Sequence, residues 1–254
     1  MRRFSEDIDL TVCVDGCSKN QAKRRLEKAV NGYICLPRTS MKKMESNQRG
    51  SITSVYDYKS VYGEFIPDAL QRFSHVKIEA TSFTVSEPFA PLKIAPLIYE
   101  NSDINQQTIL QNQYDITPFS INTICLERIF VDKIFASEFY YQRQEFFEVS
   151  KHIYDLAVMS ELEKIKQLLS NSIEMTNMLA YKRREENARI GSDLSNKPIC
   201  NFELFKSMNG NNLLQEKYRS MQDIYIFDEN DNMTFQYITA SLIEIQKSLL
   251  NEIL

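Results

Sequence analysis

Two aspartates stand two residues apart at the head of an apolar run near the start of the chain: Ser5, Glu6, Asp7 and Asp9 lead into Ile8 to Val14. Residues two apart on a strand point to the same face, so Asp7 and Asp9 present their carboxylates side by side. Like charges buried together cost free energy unless a cation sits between them. A strand that opens in this way cannot be buried on both faces without a counter-ion. The pair therefore reads as a cradle for Mg²⁺, set against the plainer reading of a solvated strand start.

The 254 residues are 43 % hydrophobic and 25 % charged, an ordinary globular composition able to bury a core in one or two domains. No apolar run approaches the length of a membrane span, and the N-terminus lacks the succession of a signal peptide, so the expectation is a cytoplasmic chain with no membrane partner. Cys13, Cys17, Cys35, Cys125 and Cys200 are odd in number and lack the paired spacing of a zinc site, which predicts reduced thiols. With only His75 and His152, a His-rich metal centre or a Ser-His-Asp arrangement has little material, and any metal is expected to be oxygen-ligated. The net charge of −4 does not advertise a nucleic-acid binder. Lys19, Lys23, Arg24, Arg25 and Lys28 concentrate positive charge in the first helix, read first as a solvated face and second as an RNA contact.

Asp15-Gly16 marks a turn, and Ser18 caps a predicted helix to about Val30 with Ala22, Leu26, Ala29 and Val30 on its apolar side. Residues 37 to 51 read as a polar connection, Ile52 to Val61 as a strand, and His75 to Phe83 as a second, alternating strand. In the latter, Val76, Ile78 and Ala80 share one face, while Lys77, Glu79 and Thr81 share the other. Pro88, Pro91 and Pro96 are expected to break regular structure, with helical patterns from about Asn122 onward. Residues 123 to 141 and Glu145 to Met159 predict two packed helices. Further helices are interrupted near Pro198 and Asn209-Gly210, and an amphipathic segment from Phe235 to Leu254 closes the chain. The fold class expected is α+β. Residues 1–110 would form a small sheet with helices, and 111–254 a helical region.

Phosphoryl and nucleotidyl transfer need cations on the transferring phosphate, which carboxylates hold and lysines supplement. Asp7, Asp9 and Glu79 offer oxygen ligands, and Lys133 and Asp155 interrupt otherwise apolar helices. Plainer roles exist for each: Lys133 reaching solvent, Asp155 pairing with Lys151, Glu79 on an exposed face.

The stretches RFSEDIDLTV (3–12), HVKIEATSFTVSEPF (75–89), LERIFVDKIFA (126–136) and SKHIYDL (150–156), in this order and spacing, resemble the AbiEii-type nucleotidyltransferase toxins of type IV toxin–antitoxin and phage abortive-infection systems. The core of these proteins is related to the DNA polymerase beta-type nucleotidyltransferases. The resemblance implies that Asp7 and Asp9 are the metal-binding acids of the first motif, with Ser5 a nucleotide-side contact, and that Glu79 is the second acid. It also implies that Lys133 touches the nucleoside triphosphate and that Asp155 is the fourth-motif acid. Lys151 stands where the family usually has arginine and can meet a phosphate without the bidentate fork. The activity implied is transfer of a nucleotide from a nucleoside triphosphate to an acceptor, with the tRNA 3′ end the candidate, Mg²⁺ as cofactor, and an AbiEi-type antitoxin as partner with no stable complex required.

In the family a Gly-Gly-Ser or Gly-Gly-Thr turn upstream of the acidic motif cradles the triphosphate through backbone N–H groups. The sequence begins after the position of that turn, so the expectation is weak nucleotide binding by the chain as it stands. The rival to an active enzyme is then a family remnant acting as a binding module. The Asp-x-Asp-x-Thr string at 7–11 also fits haloacid-dehalogenase-type phosphatases, but there the apolar strand precedes the aspartates, whereas here it follows them.

Overall fold

The computed structural model describes residues 3, 5, 7–33, 35–40, 44–48, 50–59, 75–82, 88–188, 194–226 and 228–250. Strand β1 (Asp7–Thr11) leads to helix α1 (Lys19–Val30), followed by β2 (Arg38–Thr39), β3 (Ser46–Gln48), β4 (Ser51–Asp57) and β5 (His75–Thr81). These strands form one sheet in the order β1-β5-β4-β2, with β3 also pairing with β4. β1 runs parallel to β5, and β4 antiparallel to it.

Register makes this sheet two-faced. Ile8 pairs with Ile78 and Leu10 with Ala80, whereas Asp7 pairs with Lys77 and Asp9 with Glu79. The apolar face packs under Leu26 and Val30 of α1, closing a small core with Ile52, Tyr56, Ile78 and Ala80. α1 starts where Ser18 predicts: the Gln21 amide donates to Ser18 Oγ (3.4 Å), and the Ser18 amide to Gln21 Oε1 (2.8 Å). The opposite face carries Asp7, Asp9, Lys77 and Glu79.

Two local expectations are corrected. The connection 37–51 contains β2 and β3, short polar strands held by their antiparallel pairing to β4, with no apolar alternation to announce them. The stretch from Pro88 to Ile124 is not a break followed by helix. β6 (Phe89–Ile94) and β7 (Phe119–Ile124) form a two-stranded antiparallel sheet that brackets α2 (Leu97–Glu100) and α3 (Ile104–Tyr114). Among the described residues β6 pairs with β7 alone, and Pro91 is tolerated where its missing N–H faces away from that partner and breaks no ladder. The expected boundary at 110/111 falls inside α3. Ser60, Val61, Phe83 and residues 251–254, at the ends of predicted elements, lie outside the described residues.

The rest is helical: α4 (Leu126–Gln142), α5 (Phe146–Ser160), α6 (Glu163–Ser170), α7 (Ser172–Ala188), α8 (Glu203–Ser207), α9 (Asn212–Tyr225) and α10 (Phe235–Leu250). A large core joins Phe130, Ile134 and Phe135 of α4 to Ile153 and Leu156 of α5, Tyr218 of α9 and Leu242 of α10. Residues of α4 are buried on several sides, and the charges among them are paired. Arg128 forms ion pairs with Glu185 and Asp132, and Lys182 lies 3.2 Å from Asp132 and 2.9 Å from Glu186. Glu138 accepts from the Glu203 and Leu204 amides (both 2.9 Å) and from Lys197 Nζ (2.8 Å), so a buried carboxylate of α4 caps the N-terminus of α8. Glu138→Gln keeps one carbonyl acceptor and loses the charge. It should cost about 2 kcal/mol and lower the melting temperature by about 4–8 °C in calorimetry; an unchanged melt would show that the cap does not depend on charge.

Candidate functional site

The alternation of β1 and β5 and their parallel register bring Asp7, Asp9 and Glu79 onto one face. One carboxylate oxygen from each lies within 4.8 Å of the others. Asp9 is exposed, yet atoms packed around its carboxylate remove part of its water and raise its pKa, and the neighbouring charges of Asp7 and Glu79 raise it further against the opposing effect of Lys77 and Lys133. Hard oxygen donors in this number suit Mg²⁺, whose bonds of about 2.0–2.1 Å place neighbouring ligands about 3 Å and opposite ligands about 4.2 Å apart. Oxygens that all lie within 4.8 Å of one another are close to that spacing, and a small adjustment of the side chains would seat the ion. Asp7, Asp9 and Glu79 therefore fit a divalent cation.

The helical region carries two further predicted residues, and they are bonded to each other. Lys133 of α4 donates to Asp155 Oδ2 of α5 at 2.6 Å, and its charge acts on Asp9. Asp155 is fully buried and does not pair with Lys151. Its second partner is Arg3, which lies ahead of β1: Arg3 Nε donates to Oδ1 at 2.8 Å and a terminal nitrogen to Oδ2 at 2.7 Å. This bidentate fork ties the approach to β1 to the helical region. Burial alone would raise the pKa of Asp155, but the Arg3 hydrogen bonds and the charges of Lys133 and Arg3 hold it below the usual carboxylate value.

The two remaining candidates have other engagements. Ser5 Oγ donates to the Asp7 carbonyl at 3.3 Å, at the start of β1. Lys151 pairs with Glu148 at 2.7 Å and lies over the rings of Phe147 and Tyr225. Its charge is felt at His152, but it makes no bond to Asp155.

Three residues that the sequence reading gave no role at the site are engaged around it: Arg3, Lys77 and His152. Lys77 Nζ lies 2.5 Å from Asp7 Oδ2. Its place on the polar face of β5, two residues before Glu79, was a signal that could have marked it. His152 stacks on Tyr140 with centroids 5.4 Å apart, and its Nδ1 is buried without a hydrogen bond. Burial, then the charge of Lys133, pushes its pKa down to about 3. The native state therefore keeps His152 neutral while the unfolded chain protonates near pH 6.5, so stability is full above that pH and falls as pH drops below it. His152 should account for about 2 kcal/mol of lost stability between pH 6.5 and 5, a slope that His152→Phe removes in urea titrations at the two pH values. Equal slopes in both proteins would contradict this.

Small mixed sheets followed by a largely helical region make the architecture of an α+β nucleotidyltransferase-like protein. The family described as nucleotidyl transferase AbiEii toxin, type IV TA system, matches residues 1–241, and the chain belongs to that family. No curated protein and no solved structure matches it. Among the described residues no helix is long and apolar enough to cross a membrane.

Proposed function

We propose that this toxin-family chain transfers a nucleotidyl group from a nucleoside triphosphate to an RNA acceptor, with the 3′ end of tRNA the first candidate, on a site divided between residues 1–110 and 111–254. The observation that carries this reading is the convergence of Asp7, Asp9 and Glu79 opposite Lys133. Mg²⁺ held by these carboxylates would neutralise phosphate oxygens and polarise the α-phosphorus. Lys133, a compact charge on a flexible stem, binds the triphosphate, while Asp155 and Arg3 orient it. Ser5 lies at the edge where the nucleotide enters, and Lys151 supplies a weaker phosphate contact. The acceptor oxygen bonds to the α-phosphorus as the bond to the bridging oxygen breaks, pyrophosphate leaves, and the acceptor proton passes to a carboxylate of the cluster or to water.

The toxin family supports an antitoxin partner of the AbiEi type, a role in phage defence and work in the cytoplasm. The test is incubation of the purified chain with each labelled nucleoside triphosphate, Mg²⁺ and bulk tRNA. Label should enter RNA in a chelator-sensitive way. Lys133→Ala should raise the apparent KM for the triphosphate about tenfold or more with little change in melting temperature, as expected for loss of one charge-assisted phosphate contact. No labelling with any of the triphosphates would overturn the proposal.

A further inference from the structure

The acidic cluster already contains a cation of its own. Lys77 is the register partner of Asp7 across the parallel β1–β5 pair and stands two residues before Glu79 on the same face. Its Nζ lies 2.5 Å from Asp7 Oδ2, both side chains being about three-quarters covered (26 % and 24 % exposed), and its charge reaches Asp9 as well. Three carboxylates whose oxygens approach within 4.8 Å would otherwise repel without compensation. The ammonium and a divalent cation draw on the same Asp7 carboxylate, and two positive charges so close together repel. Binding of the metal therefore favours departure of the ammonium. Lys77 can leave because its four-carbon stem turns freely while its backbone stays in the ladder.

We propose that Lys77 is a resident counter-ion of the acidic cluster, which exchanges with the divalent cation and, once displaced, pairs with a phosphate oxygen of the incoming nucleotide. This rests on Asp7, Asp9 and Glu79 being the metal site. The exchange links the two ligands: metal binding releases the ammonium that the triphosphate then recruits, and the triphosphate holds that ammonium away from the carboxylate the metal needs.

Lys77→Met keeps most of the stem and removes the charge. Two affinities decide the matter, both by calorimetry on the full chain: Mn²⁺ alone, and inorganic tripolyphosphate at saturating Mn²⁺, which carries the phosphate chemistry without a base. The expected result is opposite in sign, with Mn²⁺ binding about tenfold tighter and tripolyphosphate about tenfold weaker than in the wild type, and with wild-type values nearly restored in Lys77→Arg. A merely structural role would weaken both. Unchanged or weaker Mn²⁺ binding in folded Lys77→Met, confirmed with Lys77→Gln if the first variant unfolds, overturns the exchange. Tighter Mn²⁺ binding with unchanged tripolyphosphate binding overturns the hand-off to phosphate. Wild-type Mn²⁺ binding that survives Asp9→Asn undiminished refutes the underlying metal site instead.

Discussion

Asp9→Asn is expected to reduce nucleotide transfer by at least about 10²-fold while leaving the metal-free protein as stable as the wild type or slightly more so. The two effects have one cause. Although Asp9 is exposed at the strand surface, partial loss of water around its carboxylate and the charges of Asp7 and Glu79 oppose its ionisation, so without a cation the carboxylate is a local cost. A neutral amide of the same shape relieves that cost, yet offers the ion a weaker ligand. The sign with pH follows: because the folded pKa of Asp9 is raised, ionisation destabilises the native state as pH rises from the ordinary carboxylate value through the raised one. The substitution should remove that penalty at neutral pH. Melting curves with and without Mg²⁺ separate the effects, since Mg²⁺ should raise the wild-type midpoint and leave that of Asp9→Asn nearly unmoved. Undiminished transfer by Asp9→Asn, or an equal Mg²⁺ shift in both proteins, would remove Asp9 from the site.

The parts of the site that were legible in the sequence are those written in strand alternation. Asp7 and Asp9 share a face by spacing, and Val76, Ile78 and Ala80 mark the apolar side of β5, which leaves Lys77 and Glu79 on the other. α1 was legible for a similar reason: the Ser18–Gln21 box and the buried Leu26 and Val30 are local signals. What local pattern cannot carry is a partner far along the chain. Arg3 reaches Asp155 across 152 positions, and nothing around either residue names the other. The same holds for Glu138, Lys197 and the first amides of α8, where a charge interrupting an apolar helix proves to be the cap of another helix. The hairpin of β6 and β7 was hidden by its prolines and by residues largely exposed to solvent, so neither burial nor clean alternation set it apart. The pairing of Lys151 with Asp155 is the opposite case, offered by local spacing and not made by the fold. Lys151 stands one turn before Asp155 on α5, yet its ammonium is taken by Glu148, because Asp155 is already filled from two other sides.

The second large effect is structural and lies at that filled aspartate. Asp155 has no exposed side-chain area and receives two hydrogen bonds from Arg3 and one from Lys133, whose side chains are themselves only 11 % and 13 % exposed. Removing the carboxylate leaves two cations facing each other with little water. Breaking such a pair costs about 3–5 kcal/mol when both partners are buried, and the slight exposure of Arg3 and Lys133 places Asp155→Ala near the lower end, at about 3 kcal/mol. Because the folded pKa of Asp155 is depressed, its contribution is complete above the unfolded value near pH 4 and is lost as pH falls through the folded one. Asp155→Asn, which preserves shape, should therefore be clearly less stable than the wild type from pH 5 to 8, and the gap should close below pH 4. In a double-mutant cycle with Arg3→Met, the loss from Asp155→Asn should shrink by more than about 1 kcal/mol, since the clamp is already open. Urea unfolding of the four proteins at pH 7 and pH 3.5 measures both quantities. Additive losses, or a penalty as large at pH 3.5 as at pH 7, would show that the charge of Asp155 does not hold the start of β1 to the helical region.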